Sequence, residues 1–526
     1  MTGFKEFPSY KRLEELAKSP LDLTADGALS PERISQYVAS AEGLRLLYAT
    51  EKVTDDVLKA LEGLAGEARV FEKMKNMQSG AVVNQIEGFP SEERKVLHTA
   101  TRDIFDDPQD SPSASEAAAL AKREVDKLEA FLPGVEGRFN DLVMIGIGGS
   151  DLGPRANYLA LQYLQKAGRR VHFISNVDPD DAAGVFEEIN LERCLVGVVS
   201  KSGTTLETLS NEALVRRRFE VAGLDSNHHF IAITGEGSPM DNPERYLESF
   251  YIWDWIGGRY SSTSMVGAVM IAFAYGFETF IEWLKGAHAM DRVALIPKLE
   301  GNLPLLGALL GIWNHNFLGY TTNGVMPYSQ ALIRFPAHLQ QLDMESNGKR
   351  VDKQGKKVEF KTGPIIWGEP GTNSQHSFFQ LLHQGTEVVP LEFIGFKECQ
   401  YGQDLLVEGT TSQEKLLSNL FAQSIALATG KRSDNPNRYF PGNRPSRLLL
   451  AKQLTPYTLG AILSYFEHKT AFQGFIWNIN SFDQEGVQLG KVLAKRLIEQ
   501  FKGKREEGAP EEYPLGEAYL RQLDEV

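Results

Sequence analysis

Apolar and polar positions follow two different rhythms along the chain. Up to about residue 135 the apolar residues recur at helical spacing, as from Thr54 to Glu62 and from Ser115 to Leu132, and strand-like runs are lacking. The stretch Asp106 to Ser115, rich in Asp, Ser and Pro, reads as a connector between helical units. From Asp141 the rhythm changes. DLVMIGIGG, VHFISNVDP, CLVGVVSKSG and HFIAITGEG are short, continuous apolar runs that end in Gly, Ser or Asp. Helical stretches, Tyr158 to Ala167 and Leu206 to Val221, lie between them. Continuous apolar strands alternating with helices predict a parallel sheet covered on both faces.

A second run of this kind follows: GVMPYS, PIIWGEP, EVVPLEFIG and then AFQGFIWNINSF, with helices expected over Ser374 to Leu382 and Thr411 to Ala428. The expected fold class is therefore α/β, with two α/β/α sandwich units built on doubly wound parallel sheets. A helical region spans 1–135, the first unit 136–290, the second 291–500, and a charged, Pro-containing tail 501–526 closes on a helix from Leu515 to Leu523. The most apolar stretch, Val266 to Phe277, falls short of the about 20 residues a membrane span needs and reads as a buried helix.

Composition narrows the function. At 526 residues the chain exceeds a single core, and its 42% hydrophobic and 24% charged residues are those of a globular protein. A formal charge of −14 argues against nucleic-acid or membrane-surface partners. An anionic substrate must be held by local groups. Two distant cysteines, Cys194 and Cys399, match neither a disulfide framework nor a metal site, and with a charged N-terminus they point to the cytoplasm.

Two loops stand where doubly wound sheets bind ligands, beyond the carboxyl ends of strands. GIGGSDLGP (Gly146 to Pro154) offers close backbone approach at Gly149, the Ser150 hydroxyl and a following helix N-terminus. It misses the dinucleotide fingerprint, because Asp151 occupies the sixth position of G-x-G-x-x-G. SKSGTT (Ser200 to Thr205) brings four hydroxyls and Lys201 to the start of a helix, more than the single hydroxyl that ordinary N-capping needs. That loop favours a monophosphate site; without G-K-[ST] it does not suit a triphosphate.

Four further segments hold polar groups in apolar surroundings: WIGGRYS with Gly258 and Arg259, QLDMESNGK with Glu345, GTNSQHSFFQLLHQG with His376 and His383, and FDQEGVQLGK with Lys491. Taken singly, each has an ordinary reading: a solvated turn, a core histidine, an exposed lysine. Together, and in this order, they resemble the glucose-6-phosphate isomerase family of the sugar-isomerase (SIS) superfamily. The resemblance implies that Glu345 shuttles a proton between carbons 1 and 2 of an open-chain sugar. It makes His376, helped by Lys491, the ring-opening group, and Arg259 the cation that stabilises an enediolate. It assigns Ser200, Lys201, Ser202 and Thr205, with Gly149 and Ser150, to phosphate, and Gly258, Gln341 and Gln484 to substrate contact. It further implies a homodimer in which His376 serves the neighbouring active site, and neither metal nor organic cofactor. Departures from the family pattern at Gly203, Ser262, Glu485 and Gln488 touch no residue with a proposed chemical role. A non-catalytic phosphosugar-binding regulator would use the same cradle without Glu345, His376 or Lys491.

Overall fold

In a computed structural model of the protein, the apolar runs of the middle of the chain become strands shielded on both faces. The structure describes residues 3–105, 109–506 and 513–526, without the side chains of 504–506; residues 106–108 of the expected connector and 507–512 of the tail lie outside the described residues. The chain divides into two compact units, Met1–Ser481 and Phe482–Val526.

In the first unit a hairpin of β1 (Val38–Ala41) and β2 (Leu44–Leu47) and a ribbon of β3 (Val82–Asn84) and β4 (Arg94–Lys95) precede the first parallel sheet. That sheet contains β5 (Asp141–Ile145), β6 (Arg170–Ile174), β7 (Cys194–Ser200), β8 (Phe230–Thr234) and β9 (Ser249–Tyr251), in the order β6-β5-β7-β8-β9. Every residue of β5, β7 and β8 is buried, which is why these strands read as unbroken apolar runs. Val143, Ile145, Val196 and Val198 meet Phe219 of the helix Leu206–Val221 in one core. The chain leaves β5 for β6 on one side and returns to β7 on the other, so a crevice opens between the carboxyl ends of β5 and β7. The helix expected from Tyr158 instead spans Leu152–Ala160, and its N-terminus lies inside the GIGGSDLGP loop.

The second sheet has the order β1-β2-β13-β12-β10-β11, with β10 (Thr322–Pro327), β11 (Ile365–Trp367), β12 (Leu391–Phe396) and β13 (Ser446–Ala451) parallel. Two expectations fail here. Residues 1–135 were to be free of strands, yet β1 and β2 extend this sheet, with Leu47 antiparallel to Leu448. The hairpin turns on Glu42 and Gly43, both at positive φ (50° and 75°), the geometry of a two-residue primed turn. Glu-Gly is a weaker signal for that turn than Asn-Gly, so the pattern hid it. AFQGFIWNINSF is the second failure: its first part ends the helix Pro456–Trp477, and SRLLLA forms the strand instead. Every residue of that helix from Leu459 onward is buried. With no polar face it lacks the 3.6-residue rhythm, and a short apolar run then cannot be told from a strand.

The expected helices near Thr54, Ser115 and Thr411 appear as Asp55–Glu67, Pro112–Val135 and Ser412–Thr429. Val266 to Phe277 falls largely within Met265–Tyr275, buried throughout. Among the described residues no helix is long and apolar enough to cross a membrane. The second unit holds the helices Gln488–Glu506 and Pro514–Asp524.

Candidate active site

The crevice of the first sheet is lined from both sides by the two loops the sequence singles out. Beyond β7, Ser200 Oγ and Thr205 Oγ1 are 2.8 Å apart, and Thr204 Oγ1 donates to Ser202 Oγ at 2.9 Å. Thr205 occupies the N-cap position of Leu206–Val221, yet no side chain caps that helix. The hydroxyls therefore do not serve the ordinary capping role, and the helix presents its first N–H groups at the positive end of its dipole. Lys201 donates Nζ to Ile256 O at 2.9 Å, and burial draws its ammonium below the usual lysine range. Hydroxyls, free helix N–H groups and a lysine converge here, groups that suit an anion.

Beyond β5, the 3₁₀ turn Gly148–Ser150 meets the 3₁₀ turn Gly258–Tyr260. A Cβ on Gly149 would lie 2.2 Å from Gly258 O, so only glycine permits the two backbones to touch. Ser261 Oγ is placed to bond both turns, 2.7 Å from Gly258 O and 3.3 Å from Gly149 O. That contact plants Arg259 beside the first loop. Gln341 comes to the same loop: its Nε2 would be 3.5 Å from a Cβ on Gly148, and its Oε1 is buried without a hydrogen-bond partner among the described residues.

Glu345 does not stand in a solvated turn. It ends a π-helical turn, Gln340–Glu345, that continues the short helix Phe335–Leu339. Such widened turns cluster at functional sites. The Asn-Gly that suggested a loop is anchored by a buried Asn347, which donates to Asp343 Oδ1 and Thr470 O, both at 3.2 Å, and accepts from Ser481 Oγ at 2.8 Å. Burial raises the Asp343 carboxyl to about 6.

Arg259 and Glu345 meet here. The Arg259 side chain is 0% exposed and its Nη1 lies 3.2 Å from Glu345 Oε2, while Glu345 keeps 23% of its side chain in solvent. Arg259 Nε donates to Ser346 Oγ at 2.6 Å and Nη2 to Ser481 O at 2.7 Å. Tyr260 Oη lies 3.0 Å from the same Ser346 Oγ, and its ring stacks on His98 with centroids 4.6 Å apart. Burial, then the charge of Arg102, holds His98 neutral by pushing its pKa well below the usual value. Behind it lies a buried charge cluster. Arg102 bonds Asp291 and Glu467, each at 2.7 Å, and His468 Nε2 lies 2.6 Å from Asp291 Oδ1.

The first unit thus brings together Gly149, Ser150, Ser200, Lys201, Ser202, Thr205, Gly258, Arg259, Gln341 and Glu345. His376 stands apart, exposed on the 3₁₀ turn Asn373–His376, without a hydrogen bond or ion pair among the described residues. Lys491 and Gln484 belong to the second unit, Lys491 exposed on Gln488–Glu506 and Gln484 just before the turn Glu485–Val487. Sequence reasoning missed Ser346 and Tyr260, although both fall inside motifs it quoted. A hydroxyl next to each charged residue was the available signal.

The profile of the family described as phosphoglucose isomerase matches residues 47–512. The chain belongs to the phosphoglucose isomerase family. Within that family it is 64% identical over 524 residues to the glucose-6-phosphate isomerase of Protochlamydia amoebophila, covering 99% of this chain and 97% of that one. It is 53% identical to the Chlamydia caviae protein of the same name, covering 100% and 99%. A crystal structure of a phosphoglucose isomerase family member, the glucose-6-phosphate isomerase from Chlamydia trachomatis, superimposes with a TM-score of 0.95 at 52% identity over 99% of both chains.

Proposed function

We infer that this chain interconverts glucose 6-phosphate and fructose 6-phosphate. The observation that carries the reading is the juxtaposition of one half-buried carboxylate, Glu345, and one fully buried guanidinium, Arg259, 3.2 Å apart, in a fold that also holds a hydroxyl-rich phosphate cradle. Aldose–ketose isomerisation removes a proton alpha to a carbonyl and returns it to the adjacent carbon. One carboxylate over the face of a cis-enediolate can do both. The intermediate carries its charge on oxygen, and a guanidinium fixed by Ser346 and Ser481 stabilises that charge without reorganising. In this reading the cradle Ser200, Lys201, Ser202 and Thr205, with Gly149 and Ser150, holds the phosphate, and Gly258, Gln341 and Gln484 contact the sugar. His376 and Lys491 open the pyranose ring.

The same reading makes the protein a cytoplasmic homodimer in which the exposed His376 serves the partner's site. It keeps residues 136–290 as the phosphate-binding unit and 291–500 as the unit of the base, between an amino-terminal region, 1–135, and the tail 501–526. A phosphosugar-binding regulator would leave the Arg259–Glu345 pair without a task.

The test is a coupled assay that starts from fructose 6-phosphate and follows glucose 6-phosphate through an NADP-linked dehydrogenase. Wild-type turnover, lost in Glu345→Gln while 6-phosphogluconate binding persists, is the expected result. Near-wild-type turnover in that variant removes Glu345 from the base role. Tight 6-phosphogluconate binding without any turnover supports the regulator.

A further inference from the structure

The second sheet carries a crevice of its own. Its chain path repeats that of the first: β10 leads to β11 on one side and then to β12 on the other, so the strand order reverses between β10 and β12. Open α/β sheets bind ligands outside the carboxyl ends of the strands at such a reversal. A cavity of about 430 Å³ lies at that place. Tyr328 and Ser329 line it from the end of β10, and Phe396, Glu398, Cys399 and Gln400 from the end of β12. Gln413 and Leu416 come from the helix after β12, as the helix Leu206–Val221 follows β7 in the first sheet. Leu159 and Tyr163 form the opposite wall. The volume is that of a small-molecule site.

Its chemistry is the reverse of the phosphate cradle's. No lysine, arginine or histidine lines it, and Glu398 adds a carboxylate. Lys452, exposed and outside the lining, lies 3.7 Å from Glu398 Oε1 and partly offsets that carboxylate at the surface, while a phosphate inside the cavity would meet no cation on its walls. The fixed polar groups are mainly acceptors. Gln400 spends Nε2 on Ala160 O and Leu454 O, at 2.8 and 2.9 Å, and Gln413 spends Nε2 on Phe396 O at 2.6 Å. Both amides are thereby locked, and each keeps its Oε1 free to accept. Tyr163 and Tyr401, edge to face with centroids 6.1 Å apart, give an aromatic wall.

We propose that this crevice is a second ligand site, for an unphosphorylated ring compound of about nucleoside size that bears hydroxyl or amino donors. The aromatic wall takes the ring, and Gln400, Gln413 and Glu398 take the donors. The site is separate from the phosphate cradle and does not depend on the isomerase reading.

Cys399 supplies the readout. The chain has two cysteines, and Cys194 is 0% exposed, so a thiol-disulfide reagent labels the folded protein at the half-buried Cys399 on the cavity wall. Adenosine and glucosamine serve as neutral and cationic ring probes, and adenosine 5′-monophosphate as the phosphorylated control. At ten times its Kd, a bound probe should slow labelling about tenfold, while the monophosphate leaves the rate unchanged. Tyr163→Ala should abolish the protection and leave isomerase turnover intact. Should Tyr163→Ala fail to fold, Glu398→Ala, exposed on its loop, carries the same test. Failure of both ring probes at millimolar concentration overturns the proposal. So does equal protection by the monophosphate, or protection that survives the Tyr163 and Glu398 substitutions.

Discussion

At the scale of single residues, one hydroxyl ties the candidate site together. Ser346 follows Glu345 in sequence and receives the Nε hydrogen of Arg259, so one side chain links the backbone next to Glu345 to the guanidinium beside it. Ser346→Ala would remove the acceptor 2.6 Å from that Nε in a fully buried position, at a cost of about 1–3 kcal/mol. We expect kcat to fall by about tenfold to a hundredfold with KM nearly unchanged, because the displaced charge matters most when the enediolate forms. Tyr260→Phe, which removes only the second partner of that hydroxyl, should give a smaller drop in kcat. A rise in KM at constant kcat in Ser346→Ala would show that the serine acts on substrate binding instead. A second residue-scale effect concerns protonation. His338 is 1% exposed, neither ring nitrogen has a hydrogen-bond partner among the described residues, and burial lowers its pKa to about 4. Its folded-state pKa lies below the unfolded value of about 6.5, so its contribution to stability is present above pH 6.5 and lost as the pH falls toward 4. Between pH 7 and pH 5 the wild type should lose about 2 kcal/mol more than His338→Gln in urea unfolding. Equal losses would mean that His338 is charged, or solvated, in the native state.

At the scale of elements, the cradle is a loop and a helix end acting together. Thr205 is at once the residue before the helix Leu206–Val221 and the partner of Ser200, and no side chain caps that helix. Thr205→Ala should raise KM for the sugar phosphate by about tenfold or more and change kcat little, since a hydrogen bond to a charged group contributes about 1.5–3 kcal/mol. Steady-state kinetics read this directly, and an unchanged KM would take Thr205 out of the cradle. The hydroxyl-rich loop was legible in the sequence because its chemistry is local: four hydroxyls, a lysine and a glycine lie within Ser200 to Thr205, directly after an apolar strand. The strands of the first sheet were legible for a related reason, since burial on both faces leaves an unbroken apolar run. The helix Pro456–Trp477 is buried on all sides too, and that erased the one signal that separates a helix from a strand. The π-helical turn under Glu345 was illegible because Asn347, a turn former in most settings, is held here by Asp343, Thr470 and Ser481. Long-range partners of that kind leave no local trace.

At the scale of the whole molecule, a chain of net charge −14 could hold the dianion proposed for it only by concentrating positive potential in a few places. Two of them are Lys201, lowered by burial, and Arg259, fully buried and tied to three groups. Chemistry is also divided unequally between the two sheets: one ends in a hydroxyl-rich loop with Lys201, the other in a cavity with no cation on its walls. The hairpin of β1 and β2 sets a condition on how such a molecule is made. Leu47 pairs with Leu448, so during synthesis this segment waits for a partner about 400 residues behind it. At 5–20 residues per second that is roughly 20–80 s during which the apolar side chains of LRLL have no sheet to join.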